Sequence, residues 1–506
     1  MLLLNQQKKR RVLMRECGML LPVASLPSRY GIGAFSKEAY EFIDQLKRAG
    51  QQYWQILPLG PTGFGDSPYQ SFSAFAGNPY FIDLEELVRE ELLTREECDM
   101  ADFGHREDEI DYERLYHNRF PLLKSAYKRW RSKGHTAEES IETCGEETAL
   151  FCLYMACKDH FHGASWNVWE EDIRFLVPEA VMRYQKELKE EIGFYGFLQM
   201  KFMEQWKRLK EYGASQGIRI IGDMPIYVAF DSADAWAHPE LFLFDETRSP
   251  IAVAGCPPDQ FAPTGQLWGN PLYRWGYHRE TDYQWWKKRM EYSFELYDVV
   301  RVDHFRGFDE YYSIPAGDEN AVNGTWEKGP GMELFCQLHK TFGNLDIIAE
   351  DLGFLTQSVR TLLEQTGFPG MKVLEFAFNS WEQSDYLPHN YTNNCVVYTG
   401  THDNDTLKSW YHHLSDQDRS FSDRYLNVQN PPEEEVSWNY IRLALSSVAR
   451  LAVIPVQDYL GLGSEARINE PSTIGKNWRW RLKPGALTES VLDRCRELAF
   501  LYGRLR

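Results

Sequence analysis

Three acidic residues in the second half of the chain each follow a short apolar run that is rich in Val, Ile or Leu. They are Asp303 after residues 299–302, Glu350 after residues 345–349, and Asp403 after residues 395–401 and His402. The acids are 47 and 53 residues apart, which leaves room for one or two strand–helix units. If the runs are parallel strands of a barrel, the three carboxylates meet at its C-terminal rim. Carboxylates that converge at a barrel mouth predict chemistry on glycosidic bonds.

The residues beside Asp303 and Glu350 indicate different duties for the two acids. Arg301 shares a strand face with Asp303, and a guanidinium there would hold the carboxylate ionised, as a nucleophile requires. A buried structural ion pair explains these two residues equally well. Glu350, crowded by other carboxylates, is expected to have a raised pKa and to act as a general acid. Its alternative duty is to cap the following helix, for which Asp351 is the better candidate.

The stretch around Asp403 permits three interpretations. Asp403 follows His402, which could hydrogen-bond sugar hydroxyls, and Asn404 and Asp405 come next. The same residues could form a metal-binding turn or a cluster that caps a helix. No regular spacing of metal ligands supports the metal site.

Eight apolar runs separated by helical stretches are the candidate strands that would position these acids. Besides the three runs above, they cover residues 18–23, 53–57, 218–224, 371–376 and 451–457. Residues 36–50 are predicted to form an amphipathic helix that ends at Gly50. Strands that alternate with helices, with no Gly-rich dinucleotide fingerprint after any of them, favour a (β/α)8 TIM barrel over a doubly wound sheet.

The whole chain, residues 1–506, is predicted to be a single catalytic barrel unit with large insertions. Between the second and third strands lie about 160 residues, far more than one connection needs. Residues 84–215 are dense in Glu, Lys and Leu at helical spacing, which predicts a helical insertion subdomain. Residues 225–295 are rich in Pro, Gly, Trp and Asn, and we expect an insertion that carries an active-site loop.

The amino-acid composition limits which binding partners and which cellular compartment are expected. With 55 basic and 74 acidic side chains the net charge is −19, which disfavours nucleic acid and anionic membranes as partners. Nine cysteines without a C-x-x-C pair predict free thiols in a reducing cytosol. No secretory signal and no run of the ~18 apolar residues that span a membrane are present. We therefore expect a cytoplasmic protein, and the 14% aromatic content leans weakly toward carbohydrate binding.

The motifs around the three acids resemble those of a known family. The strings VVRVDHFRG, IIAEDLG and GTHDN are similar to the catalytic motifs of the 4-α-glucanotransferases (amylomaltase or disproportionating enzyme), which form glycoside hydrolase family 77 in the α-amylase superfamily. Residues 66–83, 221–228, 257–273 and 455–480 also resemble family segments. Together the segments span nearly the whole chain, from Gly18 to Trp480, in family order. One departure is Ser472, where many relatives have Gly.

The resemblance implies a role for each acid and a set of substrate-binding residues. Asp303 would be the catalytic nucleophile, Glu350 the general acid/base, and Asp403 a residue that binds and distorts the sugar in the donor subsite. Tyr69 would stack beneath the sugar ring, with Asp223, Arg301 and His402 supporting the same subsite, Trp268 and Asn270 in a loop over the cleft, Asp259, Phe261 and Gln266 on the acceptor side, and Asn469 on the opposing loop. Ordinary structural roles compete with these, such as a core position for Tyr69 or Trp268.

The reaction implied by the resemblance is a retaining transfer with no metal and no organic cofactor. A segment of an α-1,4-glucan would pass through a covalent glycosyl-enzyme to the 4-hydroxyl of glucose or of another α-1,4-glucan. Maltooligosaccharides, amylose and glycogen are the candidate donors. One alternative is a hydrolase of the α-amylase type that uses the same three acids. Another is a non-catalytic glucan-binding protein on a decayed barrel.

Overall fold

Eight parallel strands close into a barrel in the computed structural model, which describes residues 15–258, 262–353 and 355–505. The strands in chain order are β1 (Glu16–Leu20), β2 (Tyr53–Gln55), β3 (Arg219–Met224), β4 (Ala252–Cys256), β5 (Gln266–Pro271), β6 (Val299–Val302), β7 (Glu310–Pro315), β8 (Thr325–Lys328), β9 (Ile347–Ala349), β10 (Gly370–Val373), β11 (Cys395–Tyr398) and β12 (Leu451–Pro455). Around the barrel the order is β1, β2, β3, β6, β9, β10, β11, β12 and back to β1. The predicted (β/α)8 barrel is confirmed, and each of the eight predicted runs supplies one of its strands.

Several strands end earlier than their apolar runs. The run at 371–376 leaves the ladder after Val373, and residues 374–376 form a 3₁₀ turn. The run at 451–457 likewise ends at Pro455 and continues as a short helix. Leu374 and Val456 are nonetheless fully buried. Hydrophobicity therefore continues past the point where strand pairing stops.

Helices flank the barrel and fill the long connection between β2 and β3. The first helix, α1 (Lys37–Arg48), agrees with the predicted helix at 36–50, and Gly50 follows it with a φ of 72°. The others are α2 (Leu84–Arg89), α3 (Arg95–Met100), α4 (Tyr112–Ser132), α5 (Ala137–Glu142), α6 (Glu146–His160), α7 (Glu171–Arg174), α8 (Pro178–Glu187), α9 (Lys189–Ser215), α10 (Ala233–Ala237), α11 (Trp275–Glu280), α12 (Gln284–Leu296), α13 (Met332–Phe342), α14 (Gln357–Thr366), α15 (Leu407–His413), α16 (Asp416–Leu426), α17 (Val436–Ser446), α18 (Val456–Tyr459) and α19 (Glu489–Leu501). None of the helices described here is long and apolar enough to cross a bilayer.

Helix α9 anchors the loop that precedes the helical connection. Two of its glutamine side chains bond to the loop backbone: Gln199 accepts from the Gly77 amide at 2.7 Å and donates to the Gly77 carbonyl at 2.9 Å, while Gln205 accepts from the Asp83 amide at 2.6 Å. Gly77 also lies against the ring of Phe202, which leaves no room for a Cβ atom. The loop after β2 is therefore held in place from the helical side.

A second sheet of four antiparallel strands, in the order β5, β4, β7, β8, stands beside the barrel. Strands β4 and β5 lie within residues 225–295, where the sequence indicated only an insertion with a loop. Strands β7 and β8 come from the connection that follows β6. The two connections on either side of the barrel strand β6 therefore build one sheet together, with β4 pairing directly with β7.

Candidate active site

The three acids lie where barrel strands end at the C-terminal rim. Asp303 directly follows β6, Glu350 directly follows the adjacent strand β9, and Asp403 lies in the loop after β11. The Asp303 amide donates to the Met224 carbonyl of β3, and the Glu350 amide donates to the Val302 carbonyl of β6. These bonds continue the ladder past the strand ends, which fixes the backbone of both acids.

Arg301 joins two carboxylates on the barrel interior. Its Nη1 atom lies 2.7 Å from both oxygens of Asp223 and 3.0 Å from Oδ1 of Asp303. The side chain of Asp223 is fully buried, whereas that of Asp303 is 28% exposed and reaches the cleft. Burial alone lowers the pKa of Arg301, but Asp223 and Asp303 outweigh it and raise that pKa above its usual range. Arg301 and Asp223 thus form the buried ion pair, and Asp303 contacts the same guanidinium from the side of the cleft.

Glu350 is held by two backbone amides. Its Oε2 accepts from the backbone amide of His304 at 2.8 Å, and its Oε1 accepts from that of Leu352 at 2.8 Å. Burial, more than the charge of Asp303, raises the pKa of Glu350 to about 7, against the opposing effect of Arg301. The predicted direction is confirmed, but the main cause is burial rather than crowding by carboxylates.

The expectation that Asp351 caps the next helix is wrong. Helix α14 begins at Gln357 and is capped by the side chain of Thr356. Asp351 instead accepts from the backbone amide of Met371 on β10 at 2.6 Å. This carboxylate braces the backbone next to Glu350 against the neighbouring strand.

Tyr69 and His402 form a pair beneath the cleft. Tyr69 Oη donates to Asp223 Oδ2 at 2.9 Å and lies 2.9 Å from Nε2 of His402. The two rings stack with centroids 5.2 Å apart and planes 17° apart. Burial raises the pKa of Tyr69 well above its usual range, so the residue remains a phenol and a hydrogen-bond donor. One face of the Tyr69 ring is therefore occupied by His402.

Asp403 is positioned by side chains from two loops. Asn469 Nδ2 donates to its Oδ1 at 2.6 Å, and His402 Nε2 lies 3.3 Å from its Oδ2. Its own backbone carbonyl accepts from Arg467 Nη2 at 2.8 Å. The carboxylate is 45% exposed and faces the cleft. In the described part of the chain, no group of three or more His, Cys, Asp or Glu side chains is placed to hold a metal ion.

Strand β5 supplies the opposite wall. Gln266, Trp268 and Asn270 lie along it, and all three line the cleft. Trp268 Nε1 donates to Gln266 Oε1 at 3.0 Å, and the Trp268 ring meets His304 edge-on with centroids 4.9 Å apart. Asn270 Nδ2 donates to the Val228 carbonyl at 2.8 Å.

A cavity of about 390 Å³ lies between these groups. Nine of the residues named from the sequence line it: Tyr69, Gln266, Trp268, Asn270, Asp303, Glu350, His402, Asp403 and Asn469. Asp223 and Arg301 lie beneath it as the buried pair. Asp259 and Phe261 lie outside the described residues. The structure thus brings nine separate positions, from six parts of the chain, to one cleft.

Sequence reasoning missed several residues of the wall. They are Ser67, Gln70, Pro225, Ile226, Tyr227, His304, Pro471 and Trp478. A signal existed for each of them, because every one lies inside a segment that resembles the family. His304 is the most informative omission, since its backbone has a φ of 46° and its amide binds Glu350. Non-glycine residues with positive φ are uncommon and often mark functional turns.

Comparison with known proteins decides the family. The profile of glycoside hydrolase family 77, described as 4-alpha-glucanotransferase, matches residues 21–488. The chain belongs to this family. The 4-alpha-glucanotransferase of Clostridium butyricum is 47% identical over 485 residues, which cover 95% of this chain and 99% of that one. The enzyme of the same name from Thermus thermophilus is 46% identical over 501 residues, covering 97% and 99%.

A solved family structure has the same fold throughout. The amylomaltase from Streptococcus agalactiae, in complex with acarbose, is 39% identical, with a TM-score of 0.94, and the match covers 97% of this chain and 100% of that one. The predicted family, its barrel and the activity of a 4-alpha-glucanotransferase are confirmed.

Proposed function

We propose that Asp303 is the nucleophile and Glu350 the general acid/base of the glucan transfer. The observation that carries this assignment is the contrast between two neighbouring carboxylates. Asp303 is paired with a guanidinium at 3.0 Å, whereas burial raises the pKa of Glu350 to about 7. A carboxylate held beside a cation and a carboxyl group whose pKa is raised by burial are the expected pair for nucleophile and acid.

The first half-reaction forms the glycosyl-enzyme. An Asp303 oxygen attacks the anomeric carbon of the donor sugar, and the bond from that carbon to the leaving 4-oxygen breaks. Glu350 gives its proton to that oxygen, so that the shortened glucan leaves with a neutral hydroxyl. Arg301, whose pKa is raised above its usual range, stays cationic and lies 3.0 Å from the attacking carboxylate of Asp303.

The second half-reaction reverses these roles. Once Asp303 is an ester it carries no charge, and the repulsion that helped raise the pKa of Glu350 disappears. The pKa of Glu350 then falls, which favours the carboxylate that must take the proton from the acceptor 4-hydroxyl. The acceptor oxygen attacks the anomeric carbon and releases Asp303. A single residue therefore serves as acid and base because the state of its neighbour changes.

Asp403 is proposed to hold and distort the sugar on the donor side. Its exposed carboxylate can accept hydrogen bonds from sugar hydroxyls while Asn469 and His402 fix its orientation. Such bonds strengthen as the ring flattens toward the transition state. Tyr69 supports the same subsite through its bonds to Asp223 and His402.

The wall formed by β5 is proposed to receive the acceptor and to limit the access of water. Gln266, Trp268 and Asn270 face the cleft beside His304, and transfer requires that water be kept from the glycosyl-enzyme. We further propose that Asp259 and Phe261, which the resemblance assigns to the acceptor side, complete this wall. Glucose and the free ends of α-1,4-glucans are the proposed acceptors. Maltooligosaccharides, amylose and glycogen are the proposed donors.

We also propose that the chain is one catalytic unit, with residues 84–215 and 225–295 as its insertions. One large cluster of buried apolar residues joins barrel residues such as Trp54 to residues of α9 such as Trp206, which supports this division. Free thiols such as Cys17, Cys98 and Cys152 support a reducing compartment, and we propose the cytoplasm.

Incubation with maltotriose tests the assigned chemistry. The enzyme should convert maltotriose into glucose and a ladder of longer maltodextrins, whereas a hydrolase would give only shorter products. Asp303→Asn should reduce turnover on the order of 10³-fold or more while glucan binding remains. Products limited to glucose and maltose would favour the hydrolase, and full activity of Asp303→Asn would refute its assigned role.

A further inference from the structure

Trp381 is the most exposed of the 16 tryptophans, with 77% of its surface accessible. It lies in the loop of residues 376–386 after β10, here termed the rim loop. In the barrel, β10 stands between β9, which precedes Glu350, and β11, which precedes Asp403. The rim loop therefore emerges at the C-terminal rim, between the connections that carry two of the three acids.

The rim loop is braced although its tryptophan is open to solvent. The Trp381 amide donates to Asn379 Oδ1 at 3.0 Å, and the Ser380 amide donates to Asp418 Oδ1 at 2.8 Å. Farther along, Asn390 Nδ2 donates to the Ser384 carbonyl at 2.9 Å. The indole is thus displayed from a fixed turn, so that a ligand would not need to order the loop on binding.

Two further aromatic side chains lie at the ends of the rim loop. Tyr386 is close enough to the carboxylates of Asp351 and Glu350 that they add to burial in raising its pKa to about 12. Its ring meets that of Phe376 edge-on at 5.5 Å between centroids, and Phe376 is itself 43% exposed. Phe376 and Tyr386, at the two ends of the rim loop, therefore add aromatic surface to the same loop that carries Trp381.

We propose that Trp381 is an accessory binding site for the part of an α-1,4-glucan chain that extends beyond the catalytic cleft. The proposal rests on the proposed function, since it takes the same glucan as the ligand. Pyranose rings present C–H faces that stack on an indole, and the side chains of Asn379 and Glu382 beside it offer hydrogen bonds to hydroxyls. The neighbouring acids, Glu382 and Asp385, and the net charge of −19 favour a neutral polyhydroxyl ligand over nucleic acid or an anionic membrane.

The site predicts a dependence on the length of the donor. Maltotriose fits within the catalytic cleft and gains nothing from Trp381, whereas amylose extends past the rim. Trp381→Ala should therefore raise KM for amylose by roughly two- to tenfold, the effect of one lost stacking contact, with kcat nearly unchanged. Disproportionation of maltotriose should be unaffected, and Trp381→Phe should retain part of the effect on amylose.

The experiment combines kinetics with native electrophoresis in gels that contain amylose. The Asp303→Asn protein and the same protein with Trp381→Ala are compared, so that retardation reports binding without turnover. Phe500→Ala is the matched control, because Phe500 is 72% exposed on α19, which packs against α1 and α17. We expect weaker retardation for Trp381→Ala alone.

Equal retardation and equal KM for amylose with and without Trp381 would overturn the proposal. Sedimentation gives a second decision: dissociation of an oligomer by Trp381→Ala, with unchanged retardation, would assign the residue to a contact between copies of the chain. Failure of the proposed function would give a different result, because the wild-type protein would then form no ladder from maltotriose.

Discussion

Glu350 gives a pH dependence that follows from its surroundings. Burial, opposed by Arg301 and reinforced by Asp303, raises its pKa to about 7, and the first half-reaction needs its protonated form. The protonated fraction falls as pH rises through that pKa, so we expect kcat/KM for maltotriose to fall by about tenfold between about pH 6 and about pH 8. The assay is the initial rate of glucose release at low maltotriose concentration.

An activated donor separates this proton transfer from other effects of pH. Fluoride leaves α-maltosyl fluoride without being protonated, so the alkaline fall in kcat/KM should be absent for this donor and present for maltotriose. Glu350→Gln should still form the glycosyl-enzyme from the fluoride but not from maltotriose. Glu364→Gln, at an exposed position on α14, is the matched control and should leave both profiles unchanged.

Two results would refute the reasoning. The first is a flat maltotriose profile across the pH range in which Glu350 loses its proton. The second is an alkaline fall of the same size with the fluoride, because the titrating group would then act on something other than the leaving oxygen.

Three further predictions test the groups that support the acids. Arg301→Met should lower the free energy of unfolding by about 3–5 kcal/mol, because it leaves a buried carboxylate unpaired. Arg301→Lys should lower the melting temperature less than Arg301→Met does. Equal melting temperatures for the two variants would contradict this prediction. Asn469→Ala should reduce kcat/KM by about tenfold through loss of the bond that orients Asp403, worth about 1.5 kcal/mol, while an unchanged rate would show that this bond is dispensable. Gly77→Ala should lower the free energy of unfolding by about 1–3 kcal/mol, because the added Cβ atom has no room. The control Gly276→Ala, with open space around it, should change that free energy by less than about 1 kcal/mol. Similar denaturation curves for the two variants would argue against the anchoring by α9.

The barrel could be predicted because its signal is local. Each strand is a short apolar run, and each predicted run contributes a strand because parallel strands are buried on both faces. The second sheet gave no such signal. Strand β8 is exposed along its whole length, so it shows no alternation of apolar and polar residues. Strand β4 pairs with β7 across more than fifty residues of chain, so no local pattern indicates their pairing.

The site residues could be named from motifs, but their electrostatics could not. Arg301 and Asp303 are two residues apart at the end of one strand and therefore share a face, which can be read from the sequence. The second partner of Arg301, Asp223, lies on β3 and meets it only through the ladder between β3 and β6. The main cause of the raised pKa of Glu350 is burial, and the true partner of Asp351 is an amide twenty residues away. Both depend on tertiary contacts, which no local pattern records.

The sheet built from two connections has a mechanical consequence. Strand β5, which carries the Trp268 wall, is hydrogen-bonded through β4 to β7 and β8. Strands β7 and β8 belong to the connection that begins at Asp303. The wall therefore cannot swing as a free flap, because any hinge motion would have to carry all four strands with it. We expect the Trp268 wall to keep its place beside Asp303 and Glu350 while a glucan enters or leaves the cleft.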